Sequence, residues 1–498
     1  MPPDHVRLLA DIVGVTEAAV ESMNLPGDYG ALPAAGASGP TPSDVTFDPG
    51  VADDPFNAFV STFSLADPER RESDQAPLAG MDVAVKDNVA VAGVPMTAGS
   101  RTFGDATPSR HAPAVARLLD TGATITGKTN MDELAYGPTG ETGGFGPTRN
   151  PRQDAHVAGG SSAGSGAAVA AGRVDAALGT DTGGSVRIPA SFCGVVGYKP
   201  SFGAVPRSGV VPLAPSLDQV GVLAASVSDA ARVADAIVGP HASDPATTGR
   251  DVGGLVEAAR SAPAVTDCSF ALAEEFLGPH VDPAVRGRVE RAVDDLEAAG
   301  ATVEHVSVPR FDETAYAWDA VANVEFAACL FAGLAPLDGV AVDDAWHADA
   351  AAALAGDADA QRFCDRVVEN ALDGAALLAE SGGAVYQRAL AECQRFVDAI
   401  RDALDGHDAL LAPTMPVTAP AVGEWPLSAS ERAEAGAEAR PPLSVNVRQA
   451  NLVGAPAISV PCGRERGLPV GLQLLGSPGE DATLVGVASA VADGVSRD

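Results

Sequence analysis

Hydrophobic positions along this chain change period from segment to segment, and the changes predict alternating helices and strands. Val6, Leu9, Ile12, Val13 and Val20 recur at helical spacing, which predicts a helix over 5–24. Residues 25–55 are rich in Pro, Gly, Ala and Asp and read as a linker or extended wrap. A short apolar strand pattern lies in 78–89 and ends near Lys86. Ala114–Leu119 reads as a helix, Asp120-Thr121-Gly122 as a turn, and Ala123-Thr124-Ile125-Thr126 as a β-branched strand. A helix is expected to start over 167–171 and a buried strand over 174–178. Amphipathic helices follow over 225–240 and 283–299. The alanine-rich, acidic stretch 320–405 reads as helical, a covering on the substrate side. Residues 409–414 and 457–461 return to buried strands. There is no internal repeat and no heptad, so the rhythm is that of an α/β protein.

Composition narrows the class. With 46% apolar residues in 498, the chain can bury a sizeable core. The net charge of −34 repels phosphates and anionic membranes, which argues against nucleic acid and membrane as general partners. The acidity is spread along the chain, and three lysines stand against 29 arginines. That balance fits a protein adapted to a salt-rich cytoplasm, where self-repulsion is screened; the alternative is an ordinary acidic protein with a basic partner. The six cysteines are scattered and lack any CxxC, so they read as buried thiols of a reducing compartment. The eight histidines show no ligand spacing, so neither a metal nor a cofactor is expected. The first residues lack the pattern of a signal peptide and no run is long enough for a membrane span, so a soluble cytoplasmic protein is expected.

The retained lysines direct attention to chemistry. Lys86 lies in Val83-Ala84-Val85-Lys86-Asp87-Asn88. A glycine/serine run, Gly159-Gly160-Ser161-Ser162-Ala163-Gly164-Ser165-Gly166, places Ser161 75 residues further on. A second run, Gly179-Thr180-Asp181-Thr182-Gly183-Gly184-Ser185-Val186-Arg187, places Ser185 24 residues beyond Ser161. An amine, two hydroxyls and a glycine turn are the parts of a serine nucleophile with a lysine base. Duller readings compete: glycine/serine runs are usually linkers, and Ser185 would serve as a helix cap in a plain tight turn. The first run is no phosphate loop, because no lysine follows Gly166. It contains a G-x-S-x-G match centred on Ser162, but 150–156 is a poor strand to precede an elbow, and neither His347 nor His407 has a convincing setting for a base. In the second run, a strand feeding Thr182-Gly183-Gly184-Ser185 aligns backbone N–H groups into a nest for an oxyanion.

These segments, with Gly127-Lys128-Thr129-Asn130-Met131-Asp132-Glu133 and a weaker match from Asn451 to Gly476, resemble the amidase signature family. The resemblance is close over 75–240 and loose in the C-terminal third. It implies a large mixed β-sheet flanked by helices on both faces, here with an N-terminal helical segment over 1–60 before a catalytic domain over 61–498. It implies Ser185 as the acylated nucleophile, Ser161 as a bridging serine at a cis peptide and Lys86 as the base, made neutral by burial near Val83 and Val85. Thr182, Gly183, Gly184 and the N–H of Ser185 would form the oxyanion hole. Asp181 and Arg187 would brace the loop, and Ser162 would bond backbone or Lys86. Lys128 and Lys199, read in turns, would be structural.

Which amidase is less determined. The A subunit of glutamyl-tRNA amidotransferase usually has an aspartate seven positions before the Asn of N-L-x-G; here that position is Ser444. The basic pair expected before the helix near 385–400 is missing from Val367–Leu372, so a free amino acid would bind poorly. Pro95–Thr102 and Thr107–Arg110 look more like broad-range bacterial amidases, and Ile188 points to an uncharged acyl pocket. The expectation is therefore hydrolysis of small neutral carboxamides to acid and ammonia, by a chain that acts alone or as a homodimer. Alternatives are a urea-derivative or hydrazide hydrolase, a catalytically idle amide binder, and the amidotransferase A subunit.

Overall fold

The computed structural model describes residues 53–71, 76–249, 252–354, 363–425 and 442–495. The expected N-terminal helix over 5–24 and the linker up to 52 lie outside the described residues.

Thirteen strands are present among the described residues: β1 (Phe59–Leu65), β2 (Asp82–Lys86), β3 (Thr124–Thr129), β4 (Arg149–Asn150), β5 (Gln153–Val157), β6 (Ala176–Asp181), β7 (Val196–Lys199), β8 (Gln219–Ala224), β9 (Ser269–Ala273), β10 (Thr302–Val306), β11 (Ala409–Pro413), β12 (Ala457–Glu465) and β13 (Leu468–Leu475). Eleven of them form one sheet in the order β1-β3-β2-β6-β8-β7-β12-β13-β11-β9-β10, and β4 and β5 make a separate two-stranded ribbon. The sheet is mixed. β3, β2 and β6 run parallel, as do β11, β9 and β10, while β8, β7, β12 and β13 join them by antiparallel pairings.

The central strands are covered on both faces, as their continuous apolar sequences require. All six residues of β6 and of β8 are buried. Period-two alternation divides their side chains between two cores: Val83, Val85, Leu178 and Val222 enter one cluster, and Ala84, Ala177 and Leu223 another. Small residues on the second face let helix Ala163–Ala170 lie close against the sheet.

Most predicted elements are found within a few residues: helices Pro113–Asp120, Val227–Ile237 and Pro283–Ala298, and strands β2, β3, β6, β11 and β12. The 320–405 stretch forms helices Phe311–Phe331, Asp344–Leu354, Asp365–Ser381 and Ala384–Leu404 among its described residues. Two local expectations are corrected. The helix after the first glycine/serine run begins at Ala163, inside the run, rather than near 167. Glycine lowers helix propensity in isolation, yet a Cβ on Gly164 would collide with the carbonyl of Ala58, so docking against β1 requires the residue that propensity disfavours. The segment read as a poor strand, 150–156, holds β5, but as part of the outlying ribbon rather than a sheet strand feeding an elbow.

No helix among the described residues is long and apolar enough to cross a membrane.

Candidate active site

Parallel pairing of β2 with β6 sets the site. Val85 lies opposite Leu178, so Lys86 at the end of β2 stands beside the last residues of β6. The carboxyl ends of parallel strands are where open α/β sheets place ligands. The first glycine/serine run delivers Ser161 to the same place from the N-terminal side of helix Ala163–Ala170, and the peptide Gly160–Ser161 is cis. A Cβ on Gly160 would collide with the Asp132 carboxylate, which in turn accepts from the amides of Gly140 and Thr142.

Lys86 is fully buried. Its Nζ lies 2.7 Å from Ser161 Oγ and 2.7 Å from Thr180 Oγ1. Burial lowers its pKa from 10.5 to about 7, against the opposing pull of Asp132, Asp181 and Asp218. A neutral amine has two N–H groups and one lone pair. Here it can donate to Thr180 while its lone pair faces the Ser161 hydroxyl. Thr180 also accepts from Asn88 Nδ2 at 3.2 Å.

Ser185 follows β6 through the second glycine turn and is buried to 8% exposure. No hydrogen bond joins Ser161 Oγ to Ser185 Oγ; the two runs are tied instead by Ser162 N–H donating to the Ser185 carbonyl at 3.2 Å. Ser162 Oγ bonds the backbone of Thr180, donating to its carbonyl at 3.1 Å, as expected. Catalytic hydrogen bonds commonly tighten only when substrate is present, so the gap at Ser185 is compatible with the nucleophile role expected of it.

The turn Thr182–Ser185 is held from several sides. Asp181 accepts from the amides of Gly184 at 2.8 Å and Val186 at 3.1 Å. The N–H of Gly184, expected among the oxyanion donors, is therefore spent on Asp181, which leaves those of Thr182, Gly183 and Ser185 from the expected set. Arg187, buried, donates to Asp181, Asn451, Gln473 and the carbonyl of Val447. Burial alone would raise the Asp181 pKa, but the Arg187 guanidinium overrides it and holds the carboxyl well below the usual range. Trp318, on helix Phe311–Phe331, donates Nε1 to the Thr182 carbonyl at 2.9 Å and packs where a Cβ on Gly183 would stand 2.6 Å from its ring. Thr182 Oγ1 donates to Asp218 Oδ1 at 2.5 Å. Burial pushes Asp218 up to about 6 despite that bond. Ile188 is buried, 3.1 Å from where a Gly184 Cβ would be.

Lys128 and Lys199 sit in strands β3 and β7, not in turns. Lys128 pairs with Asp87 at 3.3 Å and donates to the Val89 carbonyl. Lys199 donates to Gln219 at 2.6 Å and to the carbonyls of Pro200 and Ala455. His347 bonds the Leu334 carbonyl and His407 bonds Ser269, so neither forms a base for Ser162. Sequence reasoning missed Thr180, Asp218, Trp318 and Asn451. Thr180 lies inside the second glycine run, and strand alternation sets it two positions from Leu178 on one face; the other three come from distant segments.

Three comparisons bear on this geometry. A family model described as Amidase matches residues 58–485. The chain belongs to the amidase signature family. The A subunit of glutamyl-tRNA(Gln) amidotransferase from Symbiobacterium thermophilum is 39% identical over 426 residues, covering 84% of this chain and 83% of that protein. Its counterpart of the same name from Halobacterium salinarum is 40% identical over 439 residues, 88% of this chain and 99% of the relative. Among solved structures, the Thermotoga maritima protein of that name superposes with a TM-score of 0.71 at 33% identity and 89% coverage of both chains. Native peptide amidase from Stenotrophomonas maltophilia superposes with a TM-score of 0.69 at 28% identity, covering 89% of this chain and 91% of its own. The chain is thus an amidase-signature enzyme acting on C–N bonds.

The comparisons also overturn one expectation. Net charge pointed away from a nucleic acid partner, and the departures from the amidotransferase pattern pointed to a chain acting alone, or as a homodimer, on a small amide. The curated relatives are named as subunits, of an enzyme named for a charged tRNA. Net charge sums the whole surface and does not decide which chains an enzyme assembles with.

Proposed function

We propose that this chain is the ammonia-releasing A subunit of a glutamyl-tRNA amidotransferase, a glutaminase working by acyl transfer to Ser185. The observation that carries the reading is the 40% identity with the Halobacterium salinarum protein along 99% of its length. The site supports the chemistry. Neutral Lys86 takes the Ser161 proton as Ser161 takes that of Ser185, and Ser185 Oγ attacks the carboxamide carbon. The N–H groups of Gly183 and Ser185 stabilise the oxyanion. Protons return through Ser161 to the leaving nitrogen, the C–N bond breaks and ammonia departs. Water, deprotonated by the same relay, hydrolyses the acyl-enzyme to the acid. We infer further that the dispersed acidity adapts the chain to a salt-rich cytoplasm.

A second reading, hydrolysis of neutral carboxamides, is favoured by Ser444, which stands where the amidotransferase usually has an aspartate, and by the apolar Ile188 beside the turn. Ammonia release from glutamine, hexanamide and benzamide in molar KCl, with and without added partner subunits, separates the two. Turnover of glutamine, strengthened by partners, supports the first; turnover of hexanamide and benzamide with glutamine refused overturns it. Ser185→Ala is the control.

A further inference from the structure

A guanidinium and a carboxylate stand beside Trp318, although the sequence positions expected to grip an amino acid lack such groups. Arg448, at the start of helix Arg448–Leu452, lies four residues after Ser444, and its Nε donates to Ser444 Oγ at 2.7 Å. Its Nη1 pairs with Asp319 Oδ1 at 3.0 Å. Its guanidinium carbon stands 4.3 Å from the ring centroid of Trp318, over the ring, a cation–π contact. Trp318 is the residue that donates to the Thr182 carbonyl and packs on Gly183. The preceding residue, Val447, packs against Gly184 and gives its carbonyl to Arg187. One indole therefore separates the guanidinium from the turn that would receive the scissile carbonyl.

The two members of the pair differ in exposure. The Arg448 side chain is 7% exposed and the Asp319 side chain 51%. Nη2 of Arg448 has no hydrogen-bond partner among the described residues. A guanidinium fixed at Nε and Nη1 and held over a ring is preorganised to receive a carboxylate.

We propose that Arg448 reads the carboxylate of the amide substrate, with Asp319 beside it for an α-ammonium group, so that the substrate is a carboxamide carrying an amino-acid head. This rests on the acyl-transfer reading of Ser185 above. Four carbon–carbon bonds separate the side-chain amide carbon of glutamine from its carboxylate carbon, a reach of roughly 5 Å. The proposal places that reach along Trp318, which touches the Thr182–Gly183 turn at one side and the Arg448 guanidinium at the other. Ser444 then serves by anchoring Arg448 rather than by contacting substrate.

A graded set of amides tests this: pentanamide, glutaramate, which adds the carboxylate, and glutamine, which adds the ammonium. The assay is labelling of Ser185 by a fluorophosphonate, with each amide as protectant, in molar KCl. It needs one chain and no turnover. Glutaramate and glutamine should protect at concentrations about 10- to 100-fold lower than pentanamide, the range expected of a hydrogen-bonded charge pair. In Arg448→Gln the advantage of both over pentanamide should vanish, and Arg448→Lys should recover part of it. In Asp319→Asn only the step from glutaramate to glutamine should shrink. Equal protection by all three in the wild-type chain, or an advantage that survives Arg448→Gln, overturns the inference and leaves the Ser185 chemistry standing. No labelling of Ser185 overturns the acyl-transfer reading itself.

Discussion

A base must be neutral to act, so pH is the most direct probe of Lys86. Its burial moves the pKa from 10.5 to about 7. That displacement corresponds to about 5 kcal/mol of lost preference for the ammonium form. At pH 7 about half of the Lys86 amines are then neutral, against roughly one in three thousand for an ordinary lysine. The folded-state value lies below the unfolded one, so falling pH protonates the base and switches the relay off. The expected profile of kcat/KM for ammonia release therefore rises through a midpoint near pH 7 and falls about tenfold per unit well below it. Lys86→Arg separates a base from a mere charge, because a guanidinium keeps the positive charge and cannot be deprotonated. That variant should lose on the order of a thousandfold in kcat/KM and gain nothing at pH 9. An acid limb centred near 10, or substantial activity in Lys86→Arg, would refute the argument.

Ser185→Ala should abolish turnover and fluorophosphonate labelling, while Ser162→Ala, which removes two bonds to the Thr180 backbone, should leave measurable activity; the reverse pattern would exchange the two assignments. Arg187→Met should lower the free energy of unfolding by about 3–5 kcal/mol, read from urea titration, because Asp181 is left as an uncompensated buried charge. A drop below about 1 kcal/mol would mean that Asp181 finds another partner or takes up a proton. Removing KCl should unfold the chain, seen as loss of the circular-dichroism signal, if its net charge of −34 needs screening; full stability without salt would end the halophilic reading.

Period and spacing in the sequence determined the alternation of helices and strands and the positions of Lys86, Ser161 and Ser185. Those features are local: a strand's apolar run, a turn's glycines and a hydroxyl's place in a short motif are legible without knowing what lies across the sheet. The helix start at Ala163 was misread because propensity speaks for an isolated segment, whereas close packing on Ala58 rewards glycine. What the tertiary structure decided depends on residues far apart in sequence. Asn451 reaches Asp181 across 270 positions, and Trp318 reaches Thr182 across 136. The N–H of Gly184 turns to Asp181 rather than toward a substrate because the loop folds back on its own carboxylate. The sequence lacks both groups the family pattern led one to expect, an aspartate at Ser444 and a basic pair over Val367–Leu372. Folding brings Asp319 and Arg448 together from segments 129 residues apart. Their pairing has no one-dimensional signature, because a salt bridge depends on separation in space and not along the chain.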